Sequence, residues 1–318
     1  MLILEYIKNR NLMKISAAVL GITLLILGGC SLQGGGSGVL ELSISDAPVN
    51  DKNITGVYIT IEEVRIQTED DGWHSMTEFE SPQTFNLLEL TGGESALLGS
   101  VTLPAGEYQQ IRFILAAPEE GAQLSGGNPG SWVNYDDNAE FDENSMDIPL
   151  FIPSGAQSGY KAVAQQPFVV PINGTVSITT EFLVRQALVD TNNGMILKPV
   201  QRIIVNDQAG AISGNVTYSG GGTEPASMVV FAYENGAFSS SEPDNGDNGF
   251  DGSVTSVAVG DDGSYTLAFL NEGEYDLVVA QYDSDGNYFD GSGESVDKDN
   301  VSVSSGETTE NINFEEDE

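Results

Sequence analysis

One short segment near the C-terminal end carries oxygen-bearing side chains at the spacing of a calcium-binding loop. The candidate ligands are Asp283, Asp285, Asn287, Asp290 and Glu294. Ca²⁺ takes about six to eight oxygen ligands, and an EF-hand loop supplies them largely from positions 1, 3, 5 and 12. Four of these residues fall on those positions, but position 6 is Tyr288 instead of glycine, and no flanking helix is predicted. Because Asp, Asn and Gly also favour β-turns, the segment predicts either a calcium site or an ordinary turn. Residues 244–252 are a weaker second candidate.

A second chemical candidate is Cys30, the only cysteine in the chain. It ends the sequence Leu27-Gly28-Gly29-Cys30, which resembles a lipobox and follows an apolar run at residues 15–27. The run is shorter than the roughly 20 residues that a membrane-spanning helix needs, and positive charge precedes it, as in a signal peptide. We therefore expect Cys30 to be the lipid-modified first residue of an exported, membrane-anchored chain. A plain signal peptide and an uncleaved anchor are the alternatives.

The residues around Cys30 refine this expectation. Met13 opens a compact signal of its own, so either Met1 or Met13 fits as the start. Ser31 occupies the position where aspartate would resemble an inner-membrane retention signal, which favours the outer membrane in a Gram-negative host, on either its periplasmic or its surface face. The Gly/Ser-rich tether that follows reaches on the order of 15 Å.

The charge of the chain excludes some partners. The formal net charge is −37 and the isoelectric point is about 4.1. Residues 31–206 contain 23 acidic and 7 basic side chains, and residues 207–318 contain 24 acidic and one basic. Such a surface repels nucleic acid and anionic lipid headgroups. Three interpretations stay open: a surface suited to salty water, divalent cation binding, and attraction to a basic partner.

Known catalytic patterns are missing from the sequence. His74, the only histidine, follows residues 70–72 at a predicted hairpin, which favours a turn position over a catalytic or zinc-binding one. There is no P-loop, nucleophile elbow or dinucleotide fingerprint. A glycosidase needs only two carboxylates, and among the acidic residues Glu62 and Glu63 are the most unusual pair. The sequence therefore predicts a protein that is not an enzyme, with a carboxylate-based hydrolase as the alternative.

Alternating apolar and polar residues, separated by turn-forming residues, predict an all-β chain after Cys30. In the second predicted strand, Glu62 and Glu63 shift the alternation, which indicates a β-bulge. The predicted strands are 39–44, 57–66, 110–115, 146–152, 175–184, 195–205, 212–218, 228–233, 254–259, 264–269, 275–282 and 301–303. Residues 118–144 are rich in Gly, Asn and Asp, and predict a long loop or insertion.

The pattern L-x-x-G-x-Y occurs in both halves, ending at Tyr108 and at Tyr275. It resembles the tyrosine corner of Greek-key sandwiches, in which a tyrosine hydroxyl bonds to upstream backbone. Either as a corner or as the start of a hairpin strand, both tyrosines are predicted to be structural. We therefore predict two tandem Greek-key or immunoglobulin-like β-sandwiches. The predicted segments are a signal peptide (1–29), Cys30 with its tether (30–38), a β domain (39–206), a linker (207–210), a second sandwich (211–314) and an acidic tail (315–318).

The first predicted domain resembles a family of exported prokaryotic proteins known as domain of unknown function 4382. The resemblance rests on several segments spread over residues 38–205. These are Leu42-Ser43-Ile44-Ser45-Asp46-Ala47-Pro48, Val57-Tyr58-Ile59-Thr60, Phe85-Asn86-Leu87-Leu88-Glu89-Leu90, Ala96-Leu97-Leu98-Gly99, Leu103–Tyr108, residues 152–159 and Leu197-Lys198-Pro199. The resemblance implies a lipoprotein context and brings no known activity.

The second predicted domain resembles carboxypeptidase regulatory-like, transthyretin-like sandwiches. The resemblance rests on Ile212-Ser213-Gly214-Asn215-Val216, Val229-Val230-Phe231-Ala232 and Asp262-Gly263-Ser264-Tyr265-Thr266-Leu267, followed by Leu270–Tyr275. It implies a spacer or a folding partner for the neighbouring domain, and a shared fold does not specify a function.

The sequence as a whole favours a lipid-anchored envelope protein that binds an envelope protein or a glycan, or helps to assemble a complex. A calcium-dependent adhesion module is the first alternative and a hydrolase is the second. No nucleic acid is expected as a partner, no cofactor besides Ca²⁺ is indicated, and the oligomeric state is left open.

Overall fold

The computed structural model describes twelve stretches of the chain. They are residues 36–47, 53–68, 72–80, 82–116, 130–136, 146–153, 158–191, 194–219, 224–244, 249–284, 286–289 and 297–316. The predicted signal peptide, Cys30 and most of the predicted tether lie outside these residues. The first strand begins at Ser37, within the segment predicted as tether.

The first half of the chain forms two sheets. Its strands are β1 (Ser37–Asp46), β2 (Ile54–Thr68), β3 (Gly72–Ser75), β4 (Gln83–Asn86), β5 (Ala96–Pro104), β6 (Gly106–Leu115), β7 (Trp132–Tyr135), β8 (Met146–Phe151), β9 (Tyr160–Val170), β10 (Thr175–Phe182), β11 (Leu188–Thr191), β12 (Gly194–Leu197) and β13 (Gln201–Val205). Sheet A has the order β13-β10-β1-β5. Sheet B has the order β11-β12-β8-β7-β2-β6-β9, and β3 and β4 also pair with β2. A one-turn helix, α1 (Val184–Ala187), and 3₁₀ turns at Leu87–Glu89 and Asn206–Gln208 complete this half.

Alternation places the apolar side chains of these two sheets in one core. Leu40, Leu42 and Ile44 of β1 are fully buried, and they share a cluster with Val57 and Ile59 of β2. Each strand thus contributes every second residue to the interior, as a sheet with one solvated face requires. Sheets A and B form a sandwich on this basis.

The second half forms another pair of sheets. Its strands are β14 (Ala209–Tyr218), β15 (Ser227–Glu234), β16 (Thr255–Ala258), β17 (Ser264–Asn271), β18 (Gly273–Tyr282), β19 (Lys298–Val303), β20 (Thr308–Thr309) and β21 (Phe314–Glu316), with a 3₁₀ turn at Glu242–Asp244. Sheet C has the order β17-β14-β20, with β21 also on β14, and sheet D has the order β16-β15-β18-β19. Ile212, Val230, Leu267 and Leu277 lie in the core cluster that these strands share.

Sheet D is buried on both of its faces. Val230, Ala232, Leu277 and Val279 belong to the core with sheet C. A separate cluster on the alternate positions of β15 and β18 contains Phe231, Tyr233, Val278, Ala280 and Tyr282, together with Phe250 from the loop before β16. Burial on two faces explains why residues 275–282 are buried without interruption.

The all-β prediction is confirmed, and so is the bulge at Glu62 and Glu63, where the β2–β6 register shifts between Ile61 and Glu63. Two predicted boundaries are wrong. The strand predicted at 175–184 ends at Phe182, where α1 follows. The strand predicted at 195–205 is two strands, because Pro199 cannot donate a ladder hydrogen bond and residues 198–200 separate β12 from β13.

Other strands have no counterpart in the sequence-based prediction. β7 lies inside the segment 118–144, which was predicted to be a loop. It was missed because its four residues are flanked by Gly- and Asn-rich sequence, which is typical of loops. β9 was missed because two of its buried positions are alanine, which gives a weak hydropathy signal. The remaining additions are β3, β4, β5, β11, β20 and β21.

Tyrosine hydroxyls fix two places where the chain passes between sheets. Tyr108 in β6 donates a hydrogen bond to the carbonyl of Pro104 in β5 at 2.7 Å. Tyr275 in β18 donates to the carbonyl of Asn271 in β17 at 2.9 Å. Each bond spans the step from one sheet to its partner, from A to B and from C to D, and burial raises the pKa of both tyrosines. Both contacts have the geometry of a tyrosine corner.

Tyr108→Phe and Tyr275→Phe should each lower the free energy of unfolding by about 1–2 kcal/mol, because each leaves a carbonyl without its buried donor. Equilibrium urea denaturation measures this. The two losses should add in the double variant, since the corners lie in different sandwiches. Unchanged denaturation midpoints in both single variants would contradict a stabilising role for these contacts.

Candidate functional site

The two sandwiches meet at a buried arginine. Arg185 lies in α1, directly after β10, within the apolar segment Phe182–Val189. Only 2% of the residue is exposed, and it is the largest fully buried side chain of the described residues. A guanidinium is always charged in proteins and needs acceptors for its five N–H donors when it is removed from water. The residues around Arg185 therefore have to supply hydrogen-bond acceptors for its guanidinium.

The acceptors come from the loop before β16 in the second sandwich. The guanidinium donates to the carbonyl of Gly249, to the carbonyl of Phe250 at 2.7 Å and to the hydroxyl of Ser253 at 3.1 Å. Its carbon lies 4.6 Å from the ring centroid of Phe231, in cation–π contact. The neighbouring Gln186 donates to the carbonyl of Ser253 at 2.9 Å. The arginine therefore joins the first sandwich to the outer face of sheet D.

The acceptor loop is held in a shape that presents these carbonyls. Gly249 has a φ of +68°, and a Cβ there would lie 2.6 Å from the carbonyl oxygen of Pro243. Phe250 also has a positive φ, +54°, which is strained for a bulky residue. Its ring compensates by stacking on Phe231 with centroids 4.2 Å apart. Glu242 closes the loop by accepting from the Tyr233 hydroxyl at 3.0 Å and from the Gly252 N–H at 2.8 Å.

An ion pair of the first sandwich lies beside the arginine and is joined to the second sandwich by a threonine. Arg202 of β13 pairs through Nε with Glu181 of β10, and Thr255 of β16 donates to the other oxygen of Glu181 at 3.0 Å. The Glu181 side chain is 4% exposed and that of Arg202 is 14% exposed. The terminal nitrogens of Arg202 are buried and have no hydrogen-bond partner among the described residues.

Asp46 is a buried carboxylate next to the same helix. Its Oδ1 accepts from the N–H of Val184 at 3.0 Å, while its Oδ2 is buried without a partner in the described part of the chain. Burial raises the pKa of Asp46 well above the ordinary value, and the charge of Glu181 raises it further, against hydrogen bonds from Val184 and Ala47 that lower it. The carboxylate thus orders the start of α1 at an electrostatic cost.

A cleft of about 1030 Å³ opens between the sandwiches next to this junction. Its first wall is formed by β9 and β13, including Val163, Val169 and Arg202, and its second wall by the turn between β17 and β18. The lining mixes apolar side chains with amides and carboxylates. The acidic members are Asp207, Glu234, Glu272 and Glu274.

The predicted calcium ligands are only partly within the described residues. Asp283 and Asn287 are described, whereas Asp285, Asp290 and Glu294 lie outside. The Asp283 carboxylate accepts from the backbone N–H of Asn287 at 3.0 Å, and its backbone N–H donates to the carbonyl of Asn287 at 2.8 Å. These contacts belong to a turn, and calcium binding stays a prediction. Among the described residues, no three His, Cys, Asp or Glu side chains are grouped to hold a metal ion.

The other residues that the sequence singled out belong to the second and third strands of sheet B. His74 lies in β3 and not in the predicted turn; it pairs with the core residue Ile66 of β2, and its Nε2 is buried without a hydrogen-bond partner among the described residues. Glu63 accepts from Arg65 at 2.5 Å and from Ser75 at 2.5 Å, which lowers the pKa of its carboxyl, chiefly through the Arg65 bond. Glu62 is exposed. The bulge accounts for this pair of glutamates.

The residues of the junction were missed by the sequence analysis. One sequence feature could have indicated a buried charge: Arg185 lies inside the apolar run 182–189, in a chain that has only 11 Lys and Arg residues. A second signal was the run of buried side chains in β18, since a strand buried on both faces reads as a continuous apolar segment. No helix of the described residues has the length and apolar character needed to cross a membrane.

Comparison with known proteins identifies the family of the first half. The sequence model of the family described as domain of unknown function DUF4382 matches residues 37–199. Since this span covers just over half of the 318 residues, the chain belongs to that family. The resemblance stated from the sequence is thereby confirmed for this half. No curated protein matches the chain.

Several solved structures show distant likeness. The minor pilin GBS52 of Streptococcus agalactiae is 14% identical with a TM-score of 0.22, over 87% of this chain and 95% of the pilin. The major pilin subunit BcpA of Bacillus cereus is 9% identical with a TM-score of 0.21, over 88% and 69%. The shaft pilin SpaA of Lactobacillus rhamnosus GG is 9% identical with a TM-score of 0.20, over 88% and 97%. TM-scores this low carry no argument, so the fold assignment rests on the sheets described above.

Arg185→Met should lower the free energy of unfolding by about 3 kcal/mol or more, because two buried carbonyls lose charged donors. It should also uncouple the two halves. Both tryptophans, Trp73 and Trp132, lie in the first half, so their fluorescence reports that half alone. Urea transitions followed by fluorescence and by far-UV circular dichroism should separate in the variant.

Arg65→Met serves as the matched control, because it removes a guanidinium that is 36% exposed. Loss of such a surface ion pair should cost about 0–1 kcal/mol and leave the two transitions coincident. Coincident, unshifted transitions in Arg185→Met would show that the arginine does not join the sandwiches.

Asp46→Asn should raise the free energy of unfolding at neutral pH, because a neutral amide avoids the buried charge and still accepts from Val184. The folded-state pKa of Asp46 lies above its ordinary value of 3.8. The contribution of Asp46 to wild-type stability therefore falls as pH rises from 3.8 through its folded-state pKa. The advantage of the variant should shrink as pH falls and vanish below 3.8. Urea denaturation over a pH series measures this.

Asp262→Asn is a control for which the expected change in the free energy of unfolding has the opposite sign. Hydrogen bonds from the side chain and backbone of Ser264 lower the pKa of Asp262, so this carboxylate stabilises the fold above its ordinary pKa and its removal should weaken the fold at neutral pH. A pH-independent effect of Asp46→Asn would contradict a buried, charged Asp46.

Proposed function

We propose that this chain is a non-enzymatic lipoprotein of the cell envelope, in which two β-sandwiches act together as one binding or assembly module. The observation that carries the proposal is the Arg185 junction. Its hydrogen bonds to Gly249 and Phe250 connect the sandwiches through buried, charge-assisted contacts, which are stronger than neutral ones. A flexible pair of domains would not need them.

The anchoring part of the proposal rests on the sequence before the first strand. Cys30 ends a lipobox-like segment, and a tether of a few residues separates it from Ser37. Two acyl chains on one cysteine would give stable attachment, since a single chain gives only marginal membrane binding. Ser31 favours the outer membrane in a Gram-negative host.

The state of the buried carboxylates supports a role without catalysis. Glu181 is bound by Arg202 and Thr255, and Glu242 is bound by Tyr233 and Gly252. Asp46 is fully buried and bonded to α1. A hydrolase would need a pair of carboxylates facing a substrate across an open site, whereas these three are bonded inside the protein and do not line the cleft.

The cleft beside the junction is the place where a ligand would meet both sandwiches. Its volume of about 1030 Å³ lies just above the range of about 300–1,000 Å³ that small-molecule sites occupy. In this proposal the second sandwich, with its resemblance to carboxypeptidase regulatory-like domains, acts as a spacer and supplies one wall of the cleft.

Cys30→Ala should abolish lipidation and release the protein from the membrane fraction. Mass spectrometry of the mature protein should find Cys30 at the N-terminus with a diacylglyceryl group. Detergent phase partitioning should move from the detergent phase to the aqueous phase in the variant, because the acyl chains supply the membrane affinity.

Ser31→Ala is the matched control, because it alters the next residue and leaves the thiol in place. It should keep the lipid and the membrane fraction. An unmodified Cys30, or a mature chain that still begins at Met1 or Met13, would refute the anchor.

A further inference from the structure

Three cations lie side by side on the outer face of sheet B. Arg65 of β2 is paired in register with Arg112 of β6, and Arg112 is paired with Lys161 of β9. Their neighbours Ile66, Ile111 and Ala162 are fully buried, so the alternation of strands places the three cations on the opposite face. Adjacent strands are about 4.8 Å apart, which makes the cations a continuous row. We call Arg65, Arg112 and Lys161 the basic row.

The row is unusual in so acidic a chain. The sequence has 11 Lys and Arg residues and 48 Asp and Glu residues. Three of the basic residues precede Cys30, so the row takes three of the eight that follow it. A random surface of this composition would surround each cation with carboxylates. Here the cations are placed next to one another.

The row costs stability. Like charges directly opposite on neighbouring strands repel, and the pKa of Arg112 is lowered by burial and by the charge of Arg65. Glu63 pairs with Arg65, but among the described residues no carboxylate pairs with Arg112 or Lys161. A row that is unfavourable for folding and leaves two of its three cations without a carboxylate partner has the properties of an anion-binding site.

The neighbouring side chains fix the row in position. The guanidinium carbon of Arg112 lies 3.7 Å from the ring centroid of Trp73, and its Nε donates to Gln110 at 3.1 Å. The next row along the strands runs through Trp73, Gln67, Gln110 and Val163. It brings an indole, two amides and a partly exposed valine alongside the cations.

We propose that the outer face of sheet B binds an acidic polysaccharide, whose carboxylate or sulfate groups bind Arg65, Arg112 and Lys161. A row of cations matches an extended polyanion, because a single small anion would satisfy only part of it. Arginine forks form charge-assisted hydrogen bonds with such groups. The amides of Gln67 and Gln110 offer donors and acceptors to sugar hydroxyls.

A protein partner fits this face less well. Specific protein interfaces bury about 1,200–2,000 Å² around a core depleted of charge. Here the centre of the face is charged, and the apolar side chains next to the row are Val163 and an indole already covered by Arg112. The acidic second half of another copy is the protein alternative, and the experiment separates it from a glycan.

The proposal rests on the binding role proposed above, and its test does not depend on the anchor. Full-length protein in detergent micelles is applied to immobilised polygalacturonate and to immobilised neutral dextran, at about 0.15 M salt, where the Debye length is about 8 Å. Wild type should bind polygalacturonate and not dextran. Lys161→Gln and Arg112→Gln should each weaken binding about tenfold, the change that ~1.4 kcal/mol produces.

Lys298→Gln is the control, because it removes an exposed lysine from the second half of the chain and should leave binding unchanged. Thermal unfolding of Lys161→Gln should be unchanged or shifted upward, since the substitution relieves repulsion, so lost binding would not reflect lost folding. Equal binding by wild type and the two row variants, or equal binding to dextran, would overturn the proposal.

Self-association would also overturn it. If light scattering shows oligomers of wild type that Arg112→Gln with Lys161→Gln dissolves, and polygalacturonate is not bound, the row contacts a second copy. If wild-type protein has a lipidated Cys30 and an intact Arg185 junction but does not bind polygalacturonate, only this inference is refuted. Loss of the lipid or of the junction would instead count against the proposed function.

Discussion

The structure depends on the burial of one charged side chain. Arg185 stays ionised, and the free energy of removing it from water has to be offset by acceptors within the protein. Those acceptors are carbonyls of Gly249 and Phe250 in the other sandwich. The left-handed backbone of that loop, the stacking of Phe250 on Phe231, and the closure of the loop by Glu242 all follow from this requirement. α1 in turn needs Asp46 to order its first turn.

The same junction explains the composition of sheet D. Its strands carry large apolar side chains on both faces, where a sheet in an isolated sandwich would have a polar outer face. Tyr233, Val278 and Tyr282 are buried because the acceptor loop and α1 cover them. The described residues from Ser37 onward accordingly form one compact unit. The apolar outer face of sheet D therefore requires contact with the first sandwich. No strand of the second half pairs with a strand of the first half among the described residues, so this contact is made by side chains and loops.

Local patterns in the sequence predicted much of the fold. Alternation located most of the longer strands, and the phase shift at Glu62 and Glu63 located a bulge. Tyr108 and Tyr275 were recognisable because a corner joins residues four apart. The junction was not predictable in this way. Arg185 lies 64 residues from Gly249, and no local rule relates them. The basic row escaped notice for the same reason, because Arg65, Arg112 and Lys161 become neighbours only through strand register. Short strands such as β7 and the alanine-containing β9 lacked a hydropathy signal strong enough to distinguish them from loops.

The position of β1 has a mechanical consequence. This strand begins at Ser37 and lies inside sheet A, with a parallel ladder to β10 on one side and an antiparallel ladder to β5 on the other. A pulling force that enters at Ser37 acts along the strand, so it shears both ladders at once instead of opening them one hydrogen bond at a time. The parallel ladder alone runs from Val39 to Asp46. Because β1 is paired on two sides, unlike an edge strand, tension applied at Ser37 is shared by hydrogen bonds to both β10 and β5.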